Sequence, residues 1–498
     1  MVDALIQTLQ PSVLLYMMIG VVLGIFIGAL PGLTATMGVA ILIPLTFWLQ
    51  PQEGLAMLIA IYCSSIFAGG IPAILLNAPG TPASMTTAWD GYELNKQGKT
   101  GLALGVNAIY SALGGIISTV FLLVAAFPIS RVALSFGPPE YFALAIFGLS
   151  MMISVSGKSI SKGLIMGFVG LFIATIGLDP MLSMPRFTFG STSLLDGISF
   201  IPIMIGLFGL GEVLSQILDS NKEEKVKPKK IGRILPNKQE RKLMRKPFWL
   251  SSMISTITGA IPGAGGDIAS MISWEQSKRF SKNKEKFGKG SLEGLSASST
   301  ANNAVIGGAF TTMLTLGLPG DSVTAILIGA LMVYGMQPGP TLFTDHVDFV
   351  YIIICLLFLA NILVLFIGVF GANIFSRIML VKREIIWASV ILFSIVGAYA
   401  LNNSLFDVWV MAFSGVIGVV LRKLDFPLGP LILALILGPM AESNLRRSLS
   451  MSLDGSLTYF LTRPITMTLL TIAVLSLIFP LIKGLYFKSK NNKKPVDF

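Results

Sequence analysis

Charge is what this sequence has least of. Of its 498 residues only 12% are Asp, Glu, Lys or Arg, about half the share of an ordinary soluble domain, while 53% are hydrophobic and the mean hydropathy is +0.78. That excludes a soluble enzyme. No polar block long enough to be a separate domain interrupts the apolar stretches, so the chain reads as one all-α polytopic membrane unit. Histidine occurs once, at His346 beside Asp345 and Asp348, and a lone histidine makes neither a metal centre nor a catalytic triad. The two cysteines, Cys63 and Cys355, lie far apart in apolar runs, which excludes a disulfide framework. Residues 1 to 10 lack a basic n-region and no small-residue cleavage site follows, so no cleaved signal peptide is expected.

What charge there is runs positive, at +11, and it is gathered rather than spread. Of the 36 basic residues, 22 lie in three stretches, 222–246, 278–289 and 483–494. Clustering at loops is the positive-inside pattern of a membrane protein, held at an anionic leaflet, and no nucleic-acid partner is expected. With the largest basic loop placed inside, apolar segments near 102–127, 141–155, 162–179, 198–218, 349–375, 384–402, 407–421, 426–440 and 464–485 alternate so that the C-terminus ends in the cytoplasm. Arg446 and Arg447 fall on the outer side and break the pattern.

Four stretches interrupt apolar segments where a helix should run on: GALPG at 28–32, NAPGTP at 77–82, GAIPGAGGD at 259–267 and LGLPGD at 316–321. The first echoes the third and the second echoes the fourth, in the same order in each half, so the chain is an internal duplication. The halves are read as 1–218 and 248–485, separated by a basic cytoplasmic linker at 219–247 and followed by a basic tail at 486–498. Basic residues flank 248–273 on both sides, which makes that segment a re-entrant hairpin from the cytoplasm. Its counterpart, about 12–49, is flanked by Asp3 and Glu53 without a basic residue and is read as entering from outside. The broken spans are placed at about 54–90 and 296–340. Opposite entry sides make the repeat inverted, the plan that places substrate at the midplane of secondary transporters.

No Lys or Arg occurs in 1–95 or 290–376, windows that hold three of the four breaks. An anion bound there must rely on backbone N–H groups at half-helix starts, aimed by hydroxyls and amides. The candidate substrate-binding residues are Pro31, Gly32, Thr34 and Thr36 at the first break, Pro79, Gly80, Thr81 and Ser84 at the second, Pro262 and Gly263 at the third, and Pro319 and Gly320 at the fourth, with Asn302 and Asn303 on the span leading into it. Asp267, Asp321 and Asn302 are the candidate oxygen ligands of a coupling cation, Na⁺, because acids at membrane depth are costly and functional. Packing competes with function at Gly20 and Gly24, whose spacing by four is the small-xxx-small pattern. GAGGD is not a phosphate loop, since no Gly-Lys-Ser/Thr follows. A channel and an intramembrane hydrolase are the rivals from other classes; the sequence has neither a filter repeat nor a paired nucleophile and base.

The stretches GALPGLTATMG at 28–38, LLNAPGTPASMTTAWDGYELNKQGKTGLALG at 75–105, TGAIPGAGGDIASMISWEQSKRFSKNKEKFGKGSLEG at 258–294 and ANNAVIGGAFTTMLTLGLPGDSVTAILIGALMVYGMQPGPTLF at 301–343 resemble the large membrane subunit of the tripartite tricarboxylate transporters. The resemblance runs the length of the chain. It implies a cation-coupled symporter of the bacterial inner membrane that imports di- or tricarboxylates, with a small transmembrane subunit and a periplasmic substrate-binding protein as partners and no enzymatic cofactor. An importer of another small organic anion by the same mechanism stays open. The plan is also similar to elevator-type transporters. Two positions depart from the family pattern: Ser298 and Ser299 stand where the family reads Pro-Glu, and Tyr334 and Gly335 where it reads His-Gly.

Overall fold

In lipid every backbone N–H and C=O has to find a partner inside the protein, so an apolar chain of this kind folds as helices. The computed structural model describes residues 1–30, 33–151, 159–179, 181–218, 232–371, 375, 383–452 and 458–491. Pro31 and Gly32, residues 219–231 of the basic linker and the end of the basic tail lie outside the described residues. Among those described, the sole sheet is a two-stranded hairpin that pairs Gly177–Leu178 with Pro185–Arg186.

The helices used below are numbered in chain order. The first seven are α1 (Val2–Thr8), α2 (Pro11–Ala29), α3 (Ala35–Thr46), α4 (Pro51–Ala68), α5 (Gly70–Leu76), α6 (Met85–Lys96) and α7 (Thr100–Ala133). Next come α8 (Pro138–Ser150), α9 (Ile160–Ala174), α10 (Phe200–Leu218), α11 (Lys238–Gly259), α12 (Gly265–Phe280), α13 (Leu292–Leu316) and α14 (Ser322–Val333). The last five are α15 (Val347–Phe370), α16 (Arg383–Asn402), α17 (Leu405–Lys423), α18 (Gly429–Met451) and α19 (Pro464–Asn491). Six described segments are long and apolar enough to cross a bilayer: α2, α4 with α5, α7, α10, α15 and α17. The chain is a multi-pass membrane protein.

The helices form two compact units, Met1–Leu134 with Ile201–Val420 and Ser135–Phe200 with Leu421–Phe498. In the first, α4 is the centre. Its segment Pro51–Leu76 is 89% buried over its most apolar window, against 28% for α17. The neighbours reach α4 closely because they present glycine. A side chain at Gly20, Gly24 or Gly28 of α2 would strike the Met57 carbonyl, Ser64 Oγ or the Ser65 carbonyl of α4, so the packing reading of this stripe holds. The same economy joins α7 to α13, where Gly114 faces the Thr300 carbonyl and Gly307 faces Ser118, and α11 to α13, where Gly308 faces the Thr256 carbonyl. Serine and threonine hydroxyls inside these spans bond their own helix, as Ser64 does to the Ala60 carbonyl (2.6 Å) and Thr311 to the Gly307 carbonyl (2.7 Å).

Helices α11 and α12 lie antiparallel, with Ser251 Oγ 3.5 Å from Ser277 Oγ and Ser255 Oγ 3.0 Å from Ser273 Oγ. Lys246 Nζ closes the open end on the Phe280 carbonyl at 3.1 Å. The pair is longer than the expected 248–273, because Asn237 and Glu240 form a capping box that draws the basic stretch 238–246 into the helix. The loop from α12 into α13 is tied to α6 through Asp90, which accepts from Trp274 Nε1 (2.8 Å) and from the backbone N–H groups of Gly288 (2.8 Å), Gly290 (3.2 Å) and Ser291 (2.7 Å).

In the second unit α18 packs on α8 and α9, and α19 on α8. The β-hairpin brings Asp179 and Arg186 to Glu442 and Arg446. Arg186 Nη1 lies 2.5 Å from Glu442 Oε1, and Arg446 Nη1 lies 2.8 Å from Asp179 Oδ2. The backbone N–H groups of Leu182 and Met181, with both guanidinium groups alongside, hold the Asp179 carboxyl below its ordinary range. Arg446 therefore faces two carboxylates.

The α2–α4 seam yields a direct test. Gly24→Val should cost about 1–3 kcal/mol, the ordinary range for overpacking, and lower the thermal unfolding midpoint in detergent. Gly232→Ala, where an added methyl meets nothing within 4 Å, should leave it unchanged.

Candidate functional site

Two of the helix breaks are built alike. At the second, α5 stops at Leu76, Asn77 turns left-handed (φ 59°) and the Ala78 N–H returns to the Pro72 carbonyl at 3.4 Å. Pro79 and Gly80 follow, and Thr81 caps the turn Pro82–Ser84 that runs into α6. At the fourth, α13 stops at Leu316, Gly317 turns left-handed (φ 69°) and the Leu318 N–H returns to the Thr312 carbonyl at 3.4 Å. Pro319 and Gly320 follow, and Asp321 caps α14. Glycine and asparagine suit the left-handed closing position, proline cannot continue the helix, and threonine or aspartate restarts it. Gly80 and Gly320 are required for approach: a side chain at Gly80 would strike the Gly28 carbonyl, and one at Gly320 would strike the Gly259 carbonyl and Ala309.

The first and third breaks open differently. Beyond Leu30 the chain resumes at Leu33, and Thr34 caps α3, its Oγ1 accepting from the Met37 N–H at 3.2 Å. At the third, Gly263 and Gly265 both have positive φ (76° and 66°), and Pro262 is buried between α11 and α12.

All four breaks meet. The first touches the second where Gly80 lies on the Gly28 carbonyl. The second touches the third where Gly266 lies on Ala83. The third touches the fourth through the Gly263 N–H, which donates to the Gly320 carbonyl at 2.9 Å. Helix α14, which restarts from the fourth break, packs on α3, which restarts from the first, and the Tyr334 hydroxyl just past α14 donates to the Thr46 carbonyl at the end of α3 at 2.7 Å. The four restarts are thus joined through one connected set of contacts in the first unit, and the first-turn N–H groups that Thr34 and Asp321 leave uncapped carry the positive ends of α3 and α14.

The side chains divide. Thr34 and Thr36 are half-buried, Thr81 and Ser84 buried and bonded to each other at 3.2 Å. Asn302 braces the second break from α13: with its amide set to satisfy its surroundings, Nδ2 donates to the carbonyls of Ala83 (2.7 Å) and Ser298 (3.2 Å), and Oδ1 accepts from Thr87 Oγ1 (3.3 Å). Its oxygen is therefore engaged. Asn303 does not reach the breaks and donates instead to the Cys63 carbonyl on α4 at 3.2 Å. Asp321 uses Oδ1 for its cap, accepting from the Thr324 N–H at 2.8 Å, and Oδ2 for the hydroxyl of buried Tyr62. Asp267 stands exposed on the first turn of α12. The described residues contain no group of three or more His, Cys, Asp or Glu that could hold a metal ion.

Tyr62 is absent from the sequence-based candidates. Its signal was available: a tyrosine inside an apolar span needs a partner for its hydroxyl. Of the two arginines that could have held an anion instead, Arg186 is committed to Glu442 and Asp179, and Arg131 is exposed at the end of α7.

The Tyr62–Asp321 bond is testable by a double-mutant cycle of Tyr62→Phe and Asp321→Asn on thermal stability. A coupling of about 1.5–3 kcal/mol is expected for a hydrogen bond to a charged group; a coupling near zero would show that the pair does not form.

The model of the tripartite tricarboxylate transporter TctA family matches residues 14–433. An uncharacterized 52.8 kDa protein in the TAR-I ttuC' 3' region of Agrobacterium vitis is 34% identical over 489 residues, covering 98% of this chain and 97% of that protein. An uncharacterized protein in the TAR-II ttuC' 3' region of the same organism is 32% identical over 233 residues, 47% of this chain and 96% of its own length. No solved structure matches. The family model spans all four breaks, and with the full-length relative it shows that this chain belongs to the TctA family of tripartite tricarboxylate transporters.

Proposed function

We propose that this chain is the large transmembrane subunit of a Na⁺-coupled importer that carries di- or tricarboxylates across the bacterial inner membrane, and that the ring of four helix breaks holds the anion. A periplasmic substrate-binding protein delivers the substrate and a small transmembrane subunit completes the complex. The observation that carries the reading is the meeting of four helix starts in a region whose sequence windows hold so few basic residues. Four starts at about half an elementary charge each offer about two positive charges, and the Asp321 carboxylate offsets one of them. A di- or tricarboxylate brings two or three negative charges. The shortfall is what a co-bound cation supplies, so cation and anion bind together and neither binds well alone.

In this reading the two halves, 1–218 and 248–485, form an inverted repeat. The re-entrant hairpins are α2–α3 and α11–α12, the broken spans α4–α6 and α13–α14, and these move together in an elevator-type transport step. The linker 219–247 and the C-terminus face the cytoplasm. Thr34, Thr36, Thr81 and the uncapped N–H groups at the helix restarts contact the substrate, while Asn302 and Asp321 fix the positions of the second and fourth breaks. Asp267, exposed at the start of α12, is the acid left accessible to a hydrated cation.

Two measurements test this. Equilibrium binding of citrate or a dicarboxylate to the purified protein should weaken at least tenfold when Na⁺ is replaced by choline, and by linkage the carboxylate should raise Na⁺ affinity by the same factor. Unchanged affinity in choline would refute the coupling. For the topology, Asn237→Cys and Lys282→Cys should both label with an impermeant thiol reagent from the cytoplasmic face; labelling from opposite faces would remove the hairpin and the inverted repeat with it.

A further inference from the structure

One residue past Asn302, helix α13 turns to a different set of neighbours. Here α4, α7, α13 and α15 meet around Cys63. The Cys63 carbonyl accepts from Asn303 Nδ2 at 3.2 Å, and its Sγ lies 4.0 Å from Asn361 Nδ2, which also donates to the Leu357 carbonyl at 2.8 Å. Both amides are thereby oriented, since each nitrogen faces a carbonyl. Asn361 Oδ1 rests against Gly115 of α7, and Thr300 rests against Gly114. Helices α7 and α13 run side by side at this level: Ser111 Oγ donates to the Ser299 carbonyl at 3.1 Å before it, and the Gly307 N–H donates to Ser118 Oγ at 3.3 Å after it. Thr300 and Asn303, one turn apart, therefore bracket the Gly114–Gly115 step that Asn361 faces from α15.

Three oxygens here have no hydrogen-bond partner: Thr300 Oγ1, Asn303 Oδ1 and Asn361 Oδ1. Their residues are 0%, 0% and 1% exposed. The neighbouring Asn107 shows the contrast, donating to the Phe67 carbonyl (3.1 Å) and accepting from Ser299 Oγ (3.0 Å). Buried polar atoms are normally satisfied, and leaving one unmet is costly, so three in one cluster point to a missing partner. The pattern is specific in kind, because each of the three unmet oxygens has lone pairs to offer while both amide nitrogens face carbonyls. Hydroxyl and amide oxygens suit a hard cation, and no carboxylate takes part in the contacts described here, which favours a single positive charge.

We propose that Thr300 Oγ1, Asn303 Oδ1 and Asn361 Oδ1 are ligands of a buried Na⁺ at the junction of α4, α7, α13 and α15. The inference rests on the cation-coupled reading and gives it a location apart from Asp267, Asp321 and Asn302. It also gives the ion a mechanical role. Helix α13 leads directly into the fourth break, and α4 leads through α5 into the second, so an ion shared across this junction ties the two broken spans together. Gly115 is part of the site, since a side chain there would occupy the place of the Asn361 oxygen.

The test uses the full-length protein purified in detergent, with ²²Na⁺ binding and thermal unfolding measured in Na⁺ and in choline. Wild type should bind Na⁺ and unfold at a higher temperature in Na⁺ than in choline. Thr300→Val and Asn361→Ala should each weaken Na⁺ binding at least tenfold. In choline, Thr300→Val should be at least as stable as wild type, because it deletes an unmet oxygen at constant shape; a merely structural hydroxyl would give the opposite sign. If wild type binds Na⁺ and both variants bind it equally well, this site is wrong while cation coupling stands. If wild type binds no Na⁺, with or without citrate, the oxygens hold only water, and both the site and the cation-coupled reading fall.

Discussion

A helix cannot stop inside a membrane unless every backbone group it releases is met by something else, and most of what is distinctive in this protein follows from meeting that demand four times in one place. The second and fourth breaks are finished internally by a left-handed closing residue, a proline without an N–H and a side chain that caps the restart. The breaks are then finished against each other, as the Gly263 N–H on the Gly320 carbonyl shows. Such contacts between main chains leave no room for side chains, so Gly80 and Gly320 follow from the breaks. The small-residue seams on α4 and α13 extend the same requirement outward, because the helices carrying the breaks have to approach closely before the breaks can meet.

This arrangement also suits a carrier that binds an anion without a basic side chain. A lysine or arginine would supply charge in one step, but it would remain charged after release and would have to cross the membrane interior with the empty carrier. Helix starts supply a weaker field that is built into the scaffold.

The breaks themselves are legible in the sequence, since Pro-Gly inside an apolar run removes an N–H and stops the helix there. The helical class and the α2 glycine stripe are legible for the same reason: each is a local pattern. What cannot be read is which distant residue completes which group. Tyr62 meets Asp321 across 259 positions and Asn361 meets Cys63 across 298, and no local spacing encodes such a meeting. Asp267 and Asp321 look equivalent in the sequence, as acids after a Pro-Gly. They differ because Asp321 follows its glycine directly and so becomes a cap, whereas Asp267 lies already inside the next helix. Arg446 stands out in the sequence as an unpaired cation, and only the fold sets Asp179 and Glu442 beside it.

The central position of α4 sets a problem of timing during synthesis. Its residues are made early, yet α13 begins at Leu292 and α15 at Val347, so at about 5–20 residues per second the helix waits roughly 10–60 seconds for these neighbours. Lipid is its environment in the meantime. The helix can tolerate that interval because its serine hydroxyls are already occupied: Ser64 and Ser65 bond carbonyls one turn back, at 2.6 and 3.1 Å. The Tyr62 hydroxyl must await a partner on a segment not yet translated, and its capture by Asp321 is then a late event that marks the joining of the two halves.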